Sequence, residues 1–393
     1  MKILVLNSGS SSIKFKLFKM DENREIASGI IEQIGENDSC AKIEYDGTKI
    51  EKKESIVDHH SGLALMNMLL IESCTIKSLD ELGAIGHRVV HGGENFSKPT
   101  IVNKEVLEEI EKLIPLAPLH NPANLDGIKV TMEQSPNVPQ VAVFDTAFHT
   151  TIPSYAYMYA LPYEAYEKDG VRRYGFHGTS HHYVVKEASK YLKLENINAI
   201  TLHLGNGASM AAIKNTKCID TTMGLTPLEG LIMGTRSGDL DPAILFYLAR
   251  KNGLSIDDLD KLLNKQSGLK GICGNNDMRE VENMAQNGDK KAQLALDMFA
   301  YRIKKYIGAY SAIIGKLDCI IFTGGIGEND IDTRKRCVQD LDNLGIELDT
   351  IKNNQRAKEI LNITSKDSKV KILVIPTNEE LEIAMQVNSL LGT

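Results

Sequence analysis

Lys2-Ile-Leu-Val-Leu-Asn7-Ser-Gly-Ser-Ser-Ser12-Ile-Lys14-Phe-Lys-Leu-Phe18 runs from an apolar stretch through a polar turn into an alternating stretch. Ile3 to Leu6 reads as a buried strand. In the second strand Ile13, Phe15 and Leu17 share one face, and Lys14 and Lys16 the other. The turn between them holds Gly9 and short polar side chains. Glycine lets the backbone come close to a ligand, and the N–H groups and hydroxyls of such a turn can cradle phosphate oxygens. Lys14 places positive charge at its edge. Taken alone, the stretch is an ordinary hairpin with a Ser-rich turn; two later stretches change that reading. The chain contains no Gly-x-x-x-x-Gly-Lys-Ser/Thr and no Gly-x-Gly-x-x-Gly opening a helix. Phosphate binding here would have to come from a strand–turn–strand hairpin.

The whole chain sets the frame for this hairpin. Its 393 residues are long for one core, and a composition 42% hydrophobic and 25% charged is that of a globular protein. Two domains are expected, residues 1–149 joined by a closing helix over 380–393, and residues 150–379. The longest apolar stretch, Leu63 to Ile71, is broken by Asn67 and is too short to span a membrane. Lys2 leads directly into a core strand, so no signal peptide is expected. Six cysteines without a Cys-x-x-Cys pair read as reduced cytoplasmic thiols. A net charge of −7 without a long basic run argues against nucleic acid as partner.

Further along, Ala27 to Ile34 reads as a third strand and residues 35–56 as a hairpin or surface excursion. Leu63 to Ile71 reads as a helix, and Asn103 to Ile114 as another, capped by Asn103 and stopped by Pro115. Asn121 is expected to cap the next helix, with Pro122 at its first position. The strand Gln140 to Phe144 delivers Asp145 at its end, where ligand residues of open α/β sheets sit. In the second half, the strand Ile197 to Leu204 meets Gly205-Asn206-Gly207-Ala-Ser209 and then Met210 to Ile213. This repeats the opening pattern about 200 residues later. A third apolar strand runs into the glycine turn Gly324-Gly325-Ile326-Gly327-Glu328. A last strand, Lys371 to Ile375, precedes Glu379 and a closing helix.

Seven segments then carry a resemblance: Asn7-Ser-Gly-Ser-Ser-Ser-Ile-Lys14, Gly86-His-Arg-Val-Val-His-Gly-Gly93, Gly175-Phe-His-Gly-Thr-Ser-His181, His203-Leu-Gly-Asn-Gly207, Met233-Gly-Thr-Arg-Ser-Gly-Asp239, Gly324-Gly-Ile-Gly-Glu328 and Thr377-Asn-Glu-Glu380. In this order the chain resembles the acetate kinase family over nearly its whole length. The resemblance implies an α/β protein with a duplicated actin-like (ribonuclease-H-like) ATPase fold, two domains flanking a nucleotide cleft. It also implies an acyl-substrate first domain, a nucleotide-binding second domain and a homodimer. The implied reaction is reversible, magnesium-dependent phosphoryl transfer from ATP to acetate, with manganese as an alternative metal.

Physical chemistry supports roles for the same residues. A carboxylate kinase must bring two anions together and stabilise charge on the transferring group, a task suited to arginine. Arg88 and Arg236 lie in glycine-flanked turns; Arg88 is assigned to the substrate carboxylate and Arg236 to the phosphoryl oxygens. Asp145, unaffordable at a strand end without a partner, is expected to pair with arginine or metal rather than act as a base. The resemblance implies His177 as transition-state stabiliser beside Asp145 and Arg236. It implies His120 with Val90, Leu119, Phe176 and Pro227 at the acyl site, and Asn7 and Glu379 as metal contacts. Nucleotide contacts carried over are Lys14, His203, Leu204, Gly205, Asn206, Gly207, Asp277, Met278, Arg279 and the turn from Gly324 through Gly325, Ile326 and Gly327 to Glu328. The loop Gly271 to Asn276 departs from the family's serine-containing wording. Two other readings fit parts of the pattern: a propionate or butyrate kinase, and a nucleotide-dependent filament or sensor, which would need neither Arg88 nor His177.

Overall fold

The computed structural model describes residues 1–36, 38–118 and 120–392. The chain forms two compact units, Met1–Ala147 with Asn378–Thr393, and Phe148–Thr377.

In the first unit the opening hairpin is β1 (Lys2–Ser8) and β2 (Ser12–Lys19), followed by β3 (Arg24–Glu32), β4 (Cys40–Tyr45), β5 (Thr48–Lys53), β6 (Ala84–Val89), β7 (Thr100–Ile101) and β8 (Gln140–Phe144). The sheet order is β5-β4-β3-β2-β1-β6-β8-β7. β1 runs antiparallel to β2 and parallel to β6, which is itself parallel to β8. Of the two alternatives for residues 35–56 the hairpin is the one formed: β4 and β5 extend the sheet, and Ala41 and Ile43 are buried. Alternation along β1 and β2 decides what covers each face. Leu4, Leu6, Phe15 and Leu17 pack beneath the helix His59–Glu72, whereas Ile3 and Val5 pack with Ile383, Ala384 and Val387 of the C-terminal helix Glu379–Leu390. That helix crosses β6 at Gly86, where a Cβ would lie 3.0 Å from both Ile383 and Val387.

The second unit repeats the core: β9 (Ala199–Leu204), β10 (Ala208–Lys214), β11 (Lys217–Thr221), β12 (Cys319–Thr323), β13 (Leu361–Asn362) and β14 (Lys371–Val374), ordered β11-β10-β9-β12-β14-β13. β9 is antiparallel to β10 and parallel to β12, and β12 is parallel to β14. The sequence β3-β2-β1-β6-β8 of the first sheet and β11-β10-β9-β12-β14 of the second are therefore the same five-stranded pattern. On one face of the second sheet, Ala199, Ala211 and Ile321 pack with Val184, Val185 and Ala188 of the helix Gly178–Leu192.

Two local expectations change. Asn121 does not cap; it opens the helix Asn121–Gln134, and its side chain bonds His91 instead, accepting from His91 N at 3.1 Å and donating to His91 O at 3.1 Å. Segment Gly324–Asn329 is a short helix rather than an open turn. Its entry needs glycine: Gly324 has φ +76°, and a Cβ there would lie 2.8 Å from Leu204 O.

Two buried histidines of the first unit give a pH dependence. Burial pushes His87 down to about 4, against the opposing bond to Gln140, and pushes His91 down to about 4 as well. Both are neutral in the fold and near 6.5 when unfolded, so their contribution is present above about pH 6.5 and lost as pH falls toward 4. For His87 the loss is about 3 kcal/mol. Urea unfolding across this range should show falling stability with proton uptake, and His87→Gln should remove about one proton from that uptake.

Candidate active site

Charge gathers at the end of β6 in the first unit. Arg88 lies in β6 opposite Val143 of the all-buried strand β8, and Asp145 comes two residues after that partner, just past the strand end. Arg88 Nε donates to Asp145 Oδ2 at 3.0 Å and Nη2 donates to the same oxygen at 2.6 Å, a forked contact around a carboxylate that is 2% exposed. Burial alone would favour a neutral guanidinium; Asp145, with Glu379 and Glu380 beyond it, outweighs burial and holds Arg88 charged. Glu379 opens the C-terminal helix and so belongs to this unit. Burial pushes its carboxyl up to about 7; Arg88 and Lys14 oppose, while Asp145 and Glu380 add to the rise. Asn7 and Lys14 face one another across the β1–β2 hairpin, so their side chains share a face, the one covered further down by the C-terminal helix. Lys14 also lines a shallow cavity with Lys16, Lys42 and Glu380.

Val90 follows β6, nearly buried, with its N–H donating to Asn124 at 3.1 Å. His120 precedes the helix Asn121–Gln134 as its N-cap residue without a side-chain cap bond. Leu119 lies outside the described residues.

The second unit holds a different constellation. His177 sits at the N-terminus of the helix Gly178–Leu192 with φ 55°, a left-handed conformation that costs a non-glycine residue of order 1 kcal/mol or more. His149 braces that turn: its Nε2 donates to the carbonyl of Phe176 at 2.9 Å, and its Nδ1 lies 3.2 Å from the Cys218 thiol. His177 stacks on His203 with ring centroids 4.3 Å apart. Arg236 approaches from its own turn and donates to Pro227 O at 3.3 Å. No acidic side chain pairs with Arg236 among the described residues, and desolvation pushes its guanidinium pKa down. The Arg236 Nη1 and His177 Nε2 atoms both lie 3.6 Å from the point where a Cβ on Gly207 would stand. A cation without an acidic partner among the described residues, a histidine at a helix N-terminus and a bare glycine in the β9–β10 turn make a receptor for an anionic group. Phe176, at 2% exposure, is packed into the unit behind this turn.

Beside it opens a cavity of about 580 Å³. Four separate sequence segments line it: Gly205 and Asn206, Asn276 to Arg279, Gly325 with Ile326, and Arg356. Asn206 ties the first two together, accepting from Asn276 Nδ2 at 3.2 Å and from Gly234 N at 3.0 Å. The volume and mixed walls suit a nucleoside. Not every expected nucleotide contact lies on this wall. The Glu328 carboxylate folds back onto the backbone, accepting from Gly324 N at 2.9 Å and Thr377 N at 3.0 Å. Leu204, Gly324 and Gly327 serve the strand and helix behind the cavity. Arg279 is mostly exposed and forked onto Asp277 at 2.6 Å.

Sequence reading missed Arg334 and Glu282. Arg334 is fully buried, donates to the carbonyls of Gly327 at 3.0 Å and Glu328 at 2.8 Å, and thereby holds the end of the Gly324–Asn329 helix. Nothing local marks it, because its partners come from elsewhere in the chain. Glu282 lines the cavity near Asp330.

Two repeated sheets of this topology, with an anion receptor and a nucleoside-sized cavity at one strand–turn–strand end, define an actin-like ATPase fold and a phosphotransferase. The acetokinase family model matches residues 2–385, and the chain belongs to that family. The acetate kinase of Helicobacter acinonychis (strain Sheeba) is 55% identical over 397 residues, covering 100% of this chain and 99% of that protein. The solved acetate kinase of Porphyromonas gingivalis superposes with a TM-score of 0.95 at 45% identity, covering 99% of each chain. A solved propionate kinase of Francisella tularensis gives a TM-score of 0.93 at 47% identity, covering 98% of each.

Burial first, then the hydrogen bond to Asp330, raises the Glu282 carboxyl to about 8. It is neutral below that pH and negative above it. A polyanion in the adjoining cavity is then repelled as pH rises through about 8. Calorimetric affinity for ADP should weaken between pH 7 and 9, and Glu282→Gln should flatten the dependence.

Proposed function

We propose that the chain catalyses reversible transfer of the γ-phosphoryl group of ATP to acetate, giving acetyl phosphate and ADP by direct in-line displacement. The observation that carries this reading is Arg236, a partly buried guanidinium without a carboxylate partner among the described residues, set beside His177 and Gly207. A phosphoryl group supplies the missing charge. A carboxylate oxygen attacks phosphorus, the bond to the bridging oxygen breaks, and ADP leaves with that electron pair. Acetate is already ionised near pH 7, so no base is needed. Asp145 accordingly serves Arg88: with its Nε and Nη2 directed to Asp145, Arg88 keeps Nη1 for the substrate carboxylate. The family resemblance assigns Val90, Leu119, His120, Phe176 and Pro227 to the acyl substrate. In this reading the first unit chiefly serves the acyl substrate and the second the nucleotide; the boundary expected after residue 379 falls after 377, which leaves Glu379 in the first unit.

Asn7 and Glu379 are the residues that would hold magnesium, or manganese. The fit rests on the donor set: Glu379 is a buried carboxylate whose ionisation burial disfavours, so a cation beside it would stabilise its charged form. One carboxylate and one amide leave room for the waters and phosphate oxygens magnesium prefers. The ion would neutralise phosphate charge during transfer.

A homodimer accounts for apolar surface on the second unit. Leu245 and Leu263 line two adjoining grooves there, and Phe246 and Ile256, which line the second, are exposed. Six free thiols suit a reducing cytoplasm. The propionate kinase likeness supports a second reading, with propionate as the preferred acyl substrate.

Hydroxamate formed from acetate, ATP and hydroxylamine tests the reaction directly; no product above background would overturn it. Arg236→Ala should lose on the order of 10² in kcat with little change in nucleotide KM, because the contact strengthens only in the transition state. A methylene in an apolar pocket is worth about 1–3 kcal/mol, so acetate should outrank propionate without excluding it. In Val90→Ala the ratio of kcat/KM for propionate over acetate should rise; an unchanged ratio in folded protein removes Val90 from the acyl site.

A further inference from the structure

Four side chains of the second unit form one hydrogen-bonded row. Thr201 Oγ1 lies 2.7 Å from His181 Nδ1, His181 Nε2 lies 2.8 Å from Ser209 Oγ, and Ser209 Oγ lies 2.9 Å from His177 Nδ1. The fold forces this meeting. Ser209 stands opposite His203 in the β9–β10 register and Ala211 opposite Thr201, so these side chains rise from one sheet face. That face lies beneath the helix Gly178–Leu192, whose N-cap is His177 and whose first turn carries His181. Thr201, His181 and Ser209 are fully buried, so water does not compete for their protons.

The row has a direction. A hydroxyl owns one proton. The other acceptor for Thr201 is the Ala211 carbonyl at 3.5 Å, the outer limit of a hydrogen bond, against 2.7 Å to His181 Nδ1. The Thr201 proton therefore points to His181 Nδ1. Burial keeps His181 neutral, so its single N–H is on Nε2 and is donated to Ser209 Oγ. The Ser209 proton then goes to its remaining neighbour, His177 Nδ1. Neutral His177 is left with its proton on Nε2, the nitrogen that lies with Arg236 Nη1 beside Gly207.

We propose that Ser209 is a positioning residue which, relayed from Thr201 through His181, sets the His177 ring as an Nε2–H donor toward the phosphoryl group. The catalytic part of this inference rests on the kinase reading above; the tautomer does not. A neutral donor held in place can bond the transferring oxygens without taking up a proton in each turnover. It also explains why a serine, and not an alanine, stands at a fully buried strand position between two histidine rings.

Long-range proton–nitrogen NMR of the full chain at about pH 8, where an ordinary histidine is neutral, tests the tautomer, with His177→Gln assigning the resonance. The expected result is a protonated Nε2 and an Nδ1 that accepts a hydrogen bond. A proton on Nδ1 overturns the proposal. In Ser209→Ala the Nδ1 resonance should move to its unbonded position, with kcat for acetate and ATP lower by on the order of tenfold, the scale of a misplaced catalytic group, and nucleotide KM within about twofold. Unchanged kcat in that variant overturns the positioning role. Thr201→Val cuts the row at its far end and should shift the same His177 resonances, which decides the matter if Ser209→Ala fails to fold. Failure of wild-type hydroxamate formation would instead strike the kinase reading and leave the NMR result standing.

Discussion

A buried charge must be matched, and the forked contact between Arg88 and Asp145 is the match on which the first unit's chemistry depends. Asp145 is nearly inaccessible at the end of an apolar strand, a position an isolated carboxylate could not hold. Removing either partner from a pair of this kind leaves an uncompensated charge, commonly costing about 3–5 kcal/mol. The pair also fixes where the remaining guanidinium hydrogens point. Glu379 belongs to the same electrostatic neighbourhood, where burial disfavours its ionisation and Arg88 favours it.

The second unit has the opposite imbalance. Arg236 has desolvation working against its charge and no carboxylate to answer it. His177 adds a hydrogen-bonding group, held in an unfavourable backbone conformation by His149 on one side and Ser209 on the other. One unit thus offers a corner rich in carboxylates with an arginine already oriented, and the other a corner short of an anion.

The repeated sheet shows how one supersecondary pattern serves two ends. In both units an apolar strand leads into a polar, glycine-containing turn and returns antiparallel, while two parallel strands extend the sheet on the other side. The turn is where backbone can approach a ligand, and the strand ends are where side chains can be aimed at it. Divergence lies in what covers the sheets: the C-terminal helix on the first, and the histidine-bearing helix Gly178–Leu192 on the second.

Much of this is local and therefore legible in the chain itself. Alternation along residues 12–19 assigns each side chain to a face, and the all-apolar runs before Asp145 and Gly324 mark buried strands whose ends carry function. Glycine beside Arg88, Arg236 and His177 singles those residues out from other charged positions. Partnership was decided only by the tertiary structure. Asp145 meets Arg88 across 57 residues of sequence, and Glu328 turns from a nucleotide contact into a cap for Gly324 and Thr377. Arg334 and the Thr201–His181–Ser209–His177 row carry no local mark at all. The physical reason is that periodicity encodes which face a residue takes, whereas a hydrogen bond needs two atoms within about 3 Å, and that depends on strand order and register between segments far apart in the chain.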